Sequence, residues 1–119
     1  MSQPVDLAAL HDAIAEQGPV TYLVTMNDDA TAHVVSVVVH HEGDRLVVGA
    51  GRRTRANIER QPAVTLLWPP GPDPDYSLIV DATFVSLDGE DATLEPHAAV
   101  LHRVAGATGD GPTCLPVDG

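Results

Sequence analysis

The sequence contains no lysine, a single cysteine and few aromatic residues, and it has no long apolar run. Because Cys114 is the only thiol, an intramolecular disulfide is excluded, which agrees with a reducing compartment. Tyr, Trp and Phe make up 3% of the chain, so aliphatic side chains must fill the core. No apolar stretch reaches the ~18 residues of a membrane span, and the first residues lack the pattern of a signal peptide. The sequence therefore predicts a cytoplasmic protein.

Acidic residues outnumber basic residues by 17 to 6, which gives the chain a formal net charge of -11. Nucleic acids and anionic membrane surfaces favour a broad basic face, so neither is expected as a partner. A chain of 119 residues is long enough for one domain with its own core. We expect a single domain over residues 1–104 and an irregular C-terminal tail over residues 105–119.

Turn residues separate six strand-like segments and two helical segments. Leu7, Leu10 and Ile14 recur at helical spacing, with Asp6 as the expected N-cap and Gly18 at the helix end. The strand-like segments are rich in β-branched residues, and the turn sequences NDDA, EGD and DG join several of them. Because strands joined by tight turns pair antiparallel, we predict a mainly β fold, a six-stranded antiparallel split β-barrel with short helices. The predicted strands are VTYLVTM, TAHVVSVVVHH, RLVVGAG, AVTLLW, YSLIVDATFVSL and DATLEPHAAVLHRV.

The longest strand-like segment is apolar on both of its faces. Val34 and Val38 share one face with Ser36, whereas Val35 and Val37 lie on the other face. A small barrel with one helix cannot cover both faces. We therefore expect a second copy of the chain to bury one of them, in a homodimer.

Four of the six arginines occur in the segment GAGRRTRANIERQP. Two glycines end the preceding strand, and a helix is expected to begin at Thr54, a good N-cap residue. The free N–H groups of a first helical turn, together with guanidinium groups, suit a phosphate, so Arg52, Arg53 and Thr54 are the expected anion site. Arg55 and Glu59 have the spacing of a helical ion pair. The alternative is a solvated basic helix face that binds no ligand.

Other chemistries have weaker support. The segment GAGRRT lacks the third glycine and the βαβ context of a dinucleotide fingerprint. His40 and His41 are adjacent on a strand and point to opposite faces, so no metal site is expected from them. Ser36 and Ser77 lie outside any nucleophile motif, and Cys114 has no basic neighbour. The catalytic residues therefore stay unknown.

The order of elements and the segment GRRTRANIERQPAVTLLWP resemble the FMN-binding split-barrel family typified by pyridoxamine 5′-phosphate oxidase. In that family a strand leads into a basic Ser-Arg-Lys-like loop, a short helix and an aliphatic strand. The resemblance implies a homodimer with FMN in the cleft between the subunits and its phosphate on the basic loop. By position, Arg53 matches the phosphate-binding arginine, while Arg52 replaces a serine and Thr54 replaces a lysine.

The resemblance also implies where the rest of the cofactor would lie. Val35, Ser36 and Val37 occupy the strand that passes the ring. Helical spacing from Arg53 places Asn57 on the phosphate side of the helix. Trp68, at the end of its strand, is either an aromatic residue packed at the barrel rim or a contact of the cofactor bound by the partner subunit. The implied activity is an FMN-dependent oxidoreductase that works with a nicotinamide cofactor and an unidentified small molecule. The C-terminal residues lack the basic and aromatic set that grips pyridoxamine phosphate, so that compound is not the expected substrate.

Three other functions remain open on the sequence alone. The first is a reductase that uses the deazaflavin F420 on the same barrel. The second is a haem-binding protein with His33 or His97 as the axial ligand. The third is a non-catalytic dimeric module whose basic loop binds no cofactor.

Overall fold

The computed structural model describes residues 2–105, and the predicted tail lies outside this range except for Ala105. Cys114 is also outside the described residues. A 3-10 turn at Leu7–Ala9 leads directly into the first α-helix. The elements in chain order are β1 (Ser2–Pro4), α1 (Leu10–Gln17), β2 (Val20–Met26), β3 (Ala32–Glu42), β4 (Arg45–Gly49), α2 (Arg52–Arg60), β5 (Ala63–Trp68), β6 (Tyr76–Asp88) and β7 (Asp91–Arg103).

The strands form one antiparallel sheet that closes on itself. Its order is β1-β7-β4-β3-β2-β5-β6, and β6 pairs again with β7. Strands β2 to β7 therefore make a closed six-stranded barrel, which confirms the predicted fold. The seventh strand, β1, was not predicted. It has three residues, ends in Pro4 and pairs with residues 100–102 of β7, so no local periodicity signals it.

Three hairpins lie where the turn sequences predicted them, between β2 and β3, β3 and β4, and β6 and β7. Gly43 and Gly89 have φ of 63° and 62°, a left-handed conformation that glycine adopts without strain. The turn after β2 places Ala30 at φ 67° and is closed by a 2.9 Å hydrogen bond from Asn27 N to Thr31 O. This turn brings the end of β2 close to α2.

Helix α1 closes one end of the barrel. Leu10 and Ile14 are buried in the core, and the Asp6 side chain caps the preceding 3-10 turn by accepting a hydrogen bond from Ala8 N. Gly18 ends the helix at φ 101°, and its carbonyl accepts a 2.8 Å hydrogen bond from Trp68 Nε1. Aliphatic side chains make up most of the core, as the composition predicted, and Trp68 is the largest side chain among them. No helix of the described chain is long and apolar enough to cross a membrane.

Candidate functional site

The N-terminus of α2 is open. The helix begins at Arg52, with Gly51 as the N-cap, so the predicted start at Thr54 is wrong by two residues. No side chain of residues 2–105 caps this end, and the first intrahelical donor is Arg55 N, 2.9 Å from Gly51 O. The N–H groups of residues 52–54 therefore have no partner within the helix. Thr54 is buried in the first turn, which leaves Gly51 as the flanking residue.

The four arginines of the cluster divide into two pairs. Arg52 and Arg53 are exposed, and neither belongs to a salt bridge within residues 2–105, although the charge of Arg53 acts on Asp29. Arg60 donates a hydrogen bond to the carbonyl of Met26. Arg55 lies 4.0 Å from Glu90 and also donates to Ala50 O, so the predicted pairing with Glu59 is not formed. Two arginines hold α2 in place, and two remain available to a ligand.

Asn57 fixes the helix to the end of β2. Its side chain is 1% exposed, and its amide nitrogen donates to Thr25 Oγ1 at 3.1 Å and to Asn27 Oδ1 at 3.0 Å. Asn57 therefore does not face the phosphate side of the helix, where the sequence predicted it. Its side chain holds α2 against the barrel.

Asp29 brings a negative charge to the same end of the barrel. Thr31 donates to its carboxylate from the hydroxyl group at 2.5 Å and from the backbone N–H at 3.0 Å. These hydrogen bonds hold the pKa of Asp29 below its ordinary value, and the charge of Arg53 contributes in the same direction. Asp29 is therefore ionised at neutral pH and partly offsets the positive potential around Arg53. No sequence pattern signals this charge, because only the fold brings the turn near α2.

The structure separates the three predicted ring contacts on β3. Val35 and Val37 are half-buried and pack against the core, whereas Ser36 is exposed on the outer surface. Strand alternation requires this division. Only Ser36 can therefore meet a ligand bound outside the barrel.

Trp68 lies apart from the arginine cluster. Its side chain is 1% exposed, and the indole N–H is bonded to the carbonyl of Gly18. It offers almost no surface to a cofactor in the single chain.

The outer surface of β2 and β3 carries an apolar face. Five of the seven exposed large apolar residues of the described chain belong to these two strands, with exposed fractions of 41–57%. The strand register places them on the same side of the sheet, around Tyr22 and its partner Ser36. We define this apolar face by the residues Val20, Tyr22, Met26, Val34 and Val38.

A cavity of about 360 Å³ adjoins the apolar face at Met26. It extends from β2 over β5 and β6, where Val24 of β2 and Ala63 of β5 supply apolar surface and Asp81 of β6 supplies a carboxylate. Thr65 Oγ1 lies 3.1 Å from Asp81 Oδ1 and donates to it. The volume is within the range of small-molecule sites, about 300–1,000 Å³.

A second cavity, of about 430 Å³, lies away from α2 and contains a pair of histidines. The rings of His11 and His41 are in contact, with centroids 4.0 Å apart. Burial and the neighbouring His11 hold the pKa of His41 below its ordinary value. No sequence pattern joins the two residues, because one belongs to α1 and the other to β3.

Several solved structures have the same fold as this chain, and they define its structural class. An F420 reductase matches with a TM-score of 0.59 and 17% identity, over 71% of this chain and 91% of that protein. A Listeria innocua protein named as a candidate pyridoxamine 5′-phosphate oxidase matches with a TM-score of 0.60 and 17% identity, over 81% and 98% of the two chains. A Mycobacterium smegmatis FAD-binding protein matches with a TM-score of 0.58 and 14% identity, over 87% and 100%. The chain therefore has the pyridoxamine 5′-phosphate oxidase-like split-barrel fold, as the resemblance implied.

Two mycobacterial relatives identify the family more closely. The uncharacterized proteins Mb0449c of Mycobacterium bovis and MT0457 of Mycobacterium tuberculosis are each 38% identical to this chain over 128 residues. The match covers 94% of this chain and 88% of each relative. The chain belongs to the family of these two proteins. No family model matches the sequence.

Proposed function

We propose that the chain is an oxidoreductase that binds FMN, with the cofactor's phosphate at the N-terminus of α2. The observation that carries this proposal is the combination of uncapped N–H groups at residues 52–54 with the exposed side chains of Arg52 and Arg53. Backbone donors at a helix start and guanidinium groups are a common pair for holding phosphate. The fold supports the proposal, because flavin-binding and F420-using proteins share it.

The residues around the open helix end fit a cofactor that joins a phosphate to a flat ring. A methyl group built at Gly51 would meet no atom within 4 Å, so space is free beside the N–H groups. The apolar face offers surface for the ring, and Ser36 offers a hydroxyl group there. When bound, the ring of such a cofactor supplies hydride or electron transfer. In this proposal Arg52, Arg53 and the N–H group of Thr54 bind the phosphate. Asn57 holds α2 in place, and the buried Trp68 has no contact with the cofactor.

The proposal includes a homodimer. Soluble monomers seldom leave a contiguous apolar face of this kind in water. A second copy placed on the apolar face would bury it and would exclude water from a ring that lies there. We therefore propose that the cofactor lies in a cleft between two chains, and that a nicotinamide cofactor exchanges hydride with it. A cytoplasmic location remains part of the proposal.

F420 is the second candidate cofactor, because an F420 reductase shares the fold. Its ring also carries a chain with a phosphate group, so it would use the same donors. The two candidates can be separated by direct titration of the purified protein with each compound.

The test compares FMN with riboflavin, which lacks the phosphate. Arg53→Ala should weaken FMN binding by about 1.5–3 kcal/mol, the range for a hydrogen bond to a charged group. This corresponds to about 10- to 150-fold in Kd, whereas the affinity for riboflavin should stay unchanged. Arg45→Ala is the matched control, since Arg45 pairs with Glu95 at 3.3 Å on another part of the surface. Fluorescence titration or calorimetry measures both ligands.

Two results would contradict the proposal. Equal FMN affinity of the native protein and Arg53→Ala would contradict the proposed phosphate site. If the protein binds none of FMN, F420 and haem, the proposed cofactor is wrong, and a non-catalytic dimeric module is the function that agrees with the result.

A further inference from the structure

The second cavity lies beside β7, where the pairing of this strand changes from β4 to β1. Strand β7 pairs with β4 up to Leu94 and with β1 from Val100 onward. Between these pairings its edge faces the 3-10 turn, and Leu10 and His11 of α1 line the cavity beyond it. The cavity of about 430 Å³ fills this gap, and we name it the histidine cavity by its residues His11, His41 and His97.

Two imidazole rings meet inside the histidine cavity. His11 comes from α1 and His41 from β3, and their ring centroids are 4.0 Å apart with a 41° angle between the ring planes. Neither ring forms a hydrogen bond to another residue of the described chain, so the structure gives the pair no polar partner. His41 is half-buried, and the exposed His11 closes over it from the helix side.

We propose that His11 and His41 together bind a divalent transition-metal ion, of the Zn²⁺, Ni²⁺ or Cu²⁺ class. Imidazole nitrogen is a preferred ligand of these ions, whereas Mg²⁺ and Ca²⁺ prefer oxygen. Two nitrogens bound about 2.1 Å from one ion at neighbouring positions are roughly 3 Å apart. To bind one ion, the two rings, whose centroids are 4.0 Å apart, must each turn so that one nitrogen points at the ion.

The surroundings of the pair define the rest of the site. Asp44 and Glu95 line the same cavity, and Glu95 is engaged 3.3 Å from Arg45. Within residues 2–105 no three potential ligands converge on one point. The site therefore has two protein ligands, with water at the remaining positions. The floor of the cavity includes the buried side chains of Leu10 and Leu46.

A metal ion at this place would join α1 to the barrel. The two ligands are 30 positions apart in the sequence, and α1 contributes Leu10 and Ile14 to the core. Binding to the folded state alone stabilises it in proportion to the logarithm of metal concentration over Kd. The ion would therefore hold the helix that covers one end of the barrel.

The test is thermal unfolding of the full chain, without a histidine tag, in the presence of Zn²⁺, Ni²⁺ or Mg²⁺. Zn²⁺ or Ni²⁺ at 100 times Kd should raise Tm by about 4 °C or more, whereas Mg²⁺ should leave it unchanged. The shift should disappear in His41→Ala and in His11→Ala. It should persist in His40→Ala, the matched control, because His40 is the adjacent residue and is exposed on the opposite face of β3.

Electron paramagnetic resonance of the Cu²⁺-loaded protein gives a second readout that does not depend on stability. Coupling to two imidazole nitrogens is expected in the native chain and to at most one in His11→Gln. No affinity of the native chain for Zn²⁺, Ni²⁺ or Cu²⁺ would overturn the proposal. So would a Tm shift that persists in both histidine variants, or one that is lost in Cys114→Ser but not in those variants.

Discussion

Asn57 determines where the exposed arginines lie. Its buried amide group bonds to Thr25 and Asn27, which end β2 and begin the following turn. This contact presses one side of α2 against the barrel, so the side chains of Arg52 and Arg53 stay outside. A buried polar group of this kind is costly to leave without its partners. The position of the candidate anion site therefore depends on a residue that does not touch the anion.

Asn57→Ala should destabilise the protein by about 2–3 kcal/mol. The substitution removes two hydrogen bonds and leaves the buried Thr25 and the half-buried Asn27 without their donor. Glu59→Ala is the control, because Glu59 is exposed on the same helix and its loss should change stability by at most about 0.5 kcal/mol. Urea denaturation followed by circular dichroism measures both. Equal unfolding free energies for the two variants would contradict the proposed role of Asn57.

The residue types of the site could be predicted from the sequence, but their orientations could not. A cluster of arginines behind two glycines is visible in the printed sequence, and Arg52 and Arg53 are indeed exposed. Arg55 and Arg60 are instead engaged by Glu90 and Met26, which lie more than 30 positions away along the chain. Only tertiary structure creates these contacts, so helical spacing alone assigned Arg55 to Glu59 incorrectly.

At the scale of elements, local signals predicted the fold well. The hairpins follow from turn residues, and α1 follows from the spacing of Leu10 and Ile14 and from Gly18, whereas Asp6 and Leu7 belong to the 3-10 turn before it. The start of α2 was misplaced because Thr54, a preferred cap residue, is buried within the first turn while Gly51 caps the helix. Strand β1 could not be predicted, since its pairing with β7 joins residues about 100 positions apart.

The open start of α2 allows a test that separates stability from binding. Gly51→Asp would place a carboxylate at the N-cap, where it can accept hydrogen bonds from the first turn. Stability should stay equal or rise by up to about 1 kcal/mol, because a negative charge suits a helix N-terminus. FMN affinity should fall at least tenfold by repulsion and loss of donors, while riboflavin affinity should stay constant. Thermal unfolding and fluorescence titration measure the two effects.

Gly51→Ala serves as the control for this experiment. A methyl group at this position meets no atom within 4 Å and brings no charge. FMN affinity should therefore stay close to the native value, with a small loss of helix stability. Undiminished FMN binding by Gly51→Asp would show that the phosphate does not lie at the start of α2.

For the molecule as a whole, net charge affects a ligand over long distances, whereas apolar surface affects it only on contact. The net charge of -11 favours solubility and repels anions in general, and Asp29 adds to this near α2. An anion must therefore be held by short contacts at Arg52 and Arg53. Added salt screens the long-range repulsion by the acidic surface, and it also weakens the attraction of the anion to these two arginines. The residues that define the apolar face are uncharged, and they lie on the neighbouring strands β2 and β3. The two surfaces together suit a ligand with one anionic end and one apolar end.

In the proposed homodimer, cofactor binding depends on assembly of the two chains. Val38 is 48% exposed near one end of the apolar face, opposite Val20 in the register. Val38→Arg should convert the dimer to a monomer, because an arginine without a partner is costly to bury in an interface. Light scattering at micromolar concentration should show half the native mass, and FMN binding should fall at the same time. Val85→Arg changes an equally large exposed valine on β6, outside the apolar face, and should leave the dimer intact. If the native chain is monomeric and still binds FMN, the proposed cleft between two chains is wrong. The proposed phosphate site at α2 would still agree with that result.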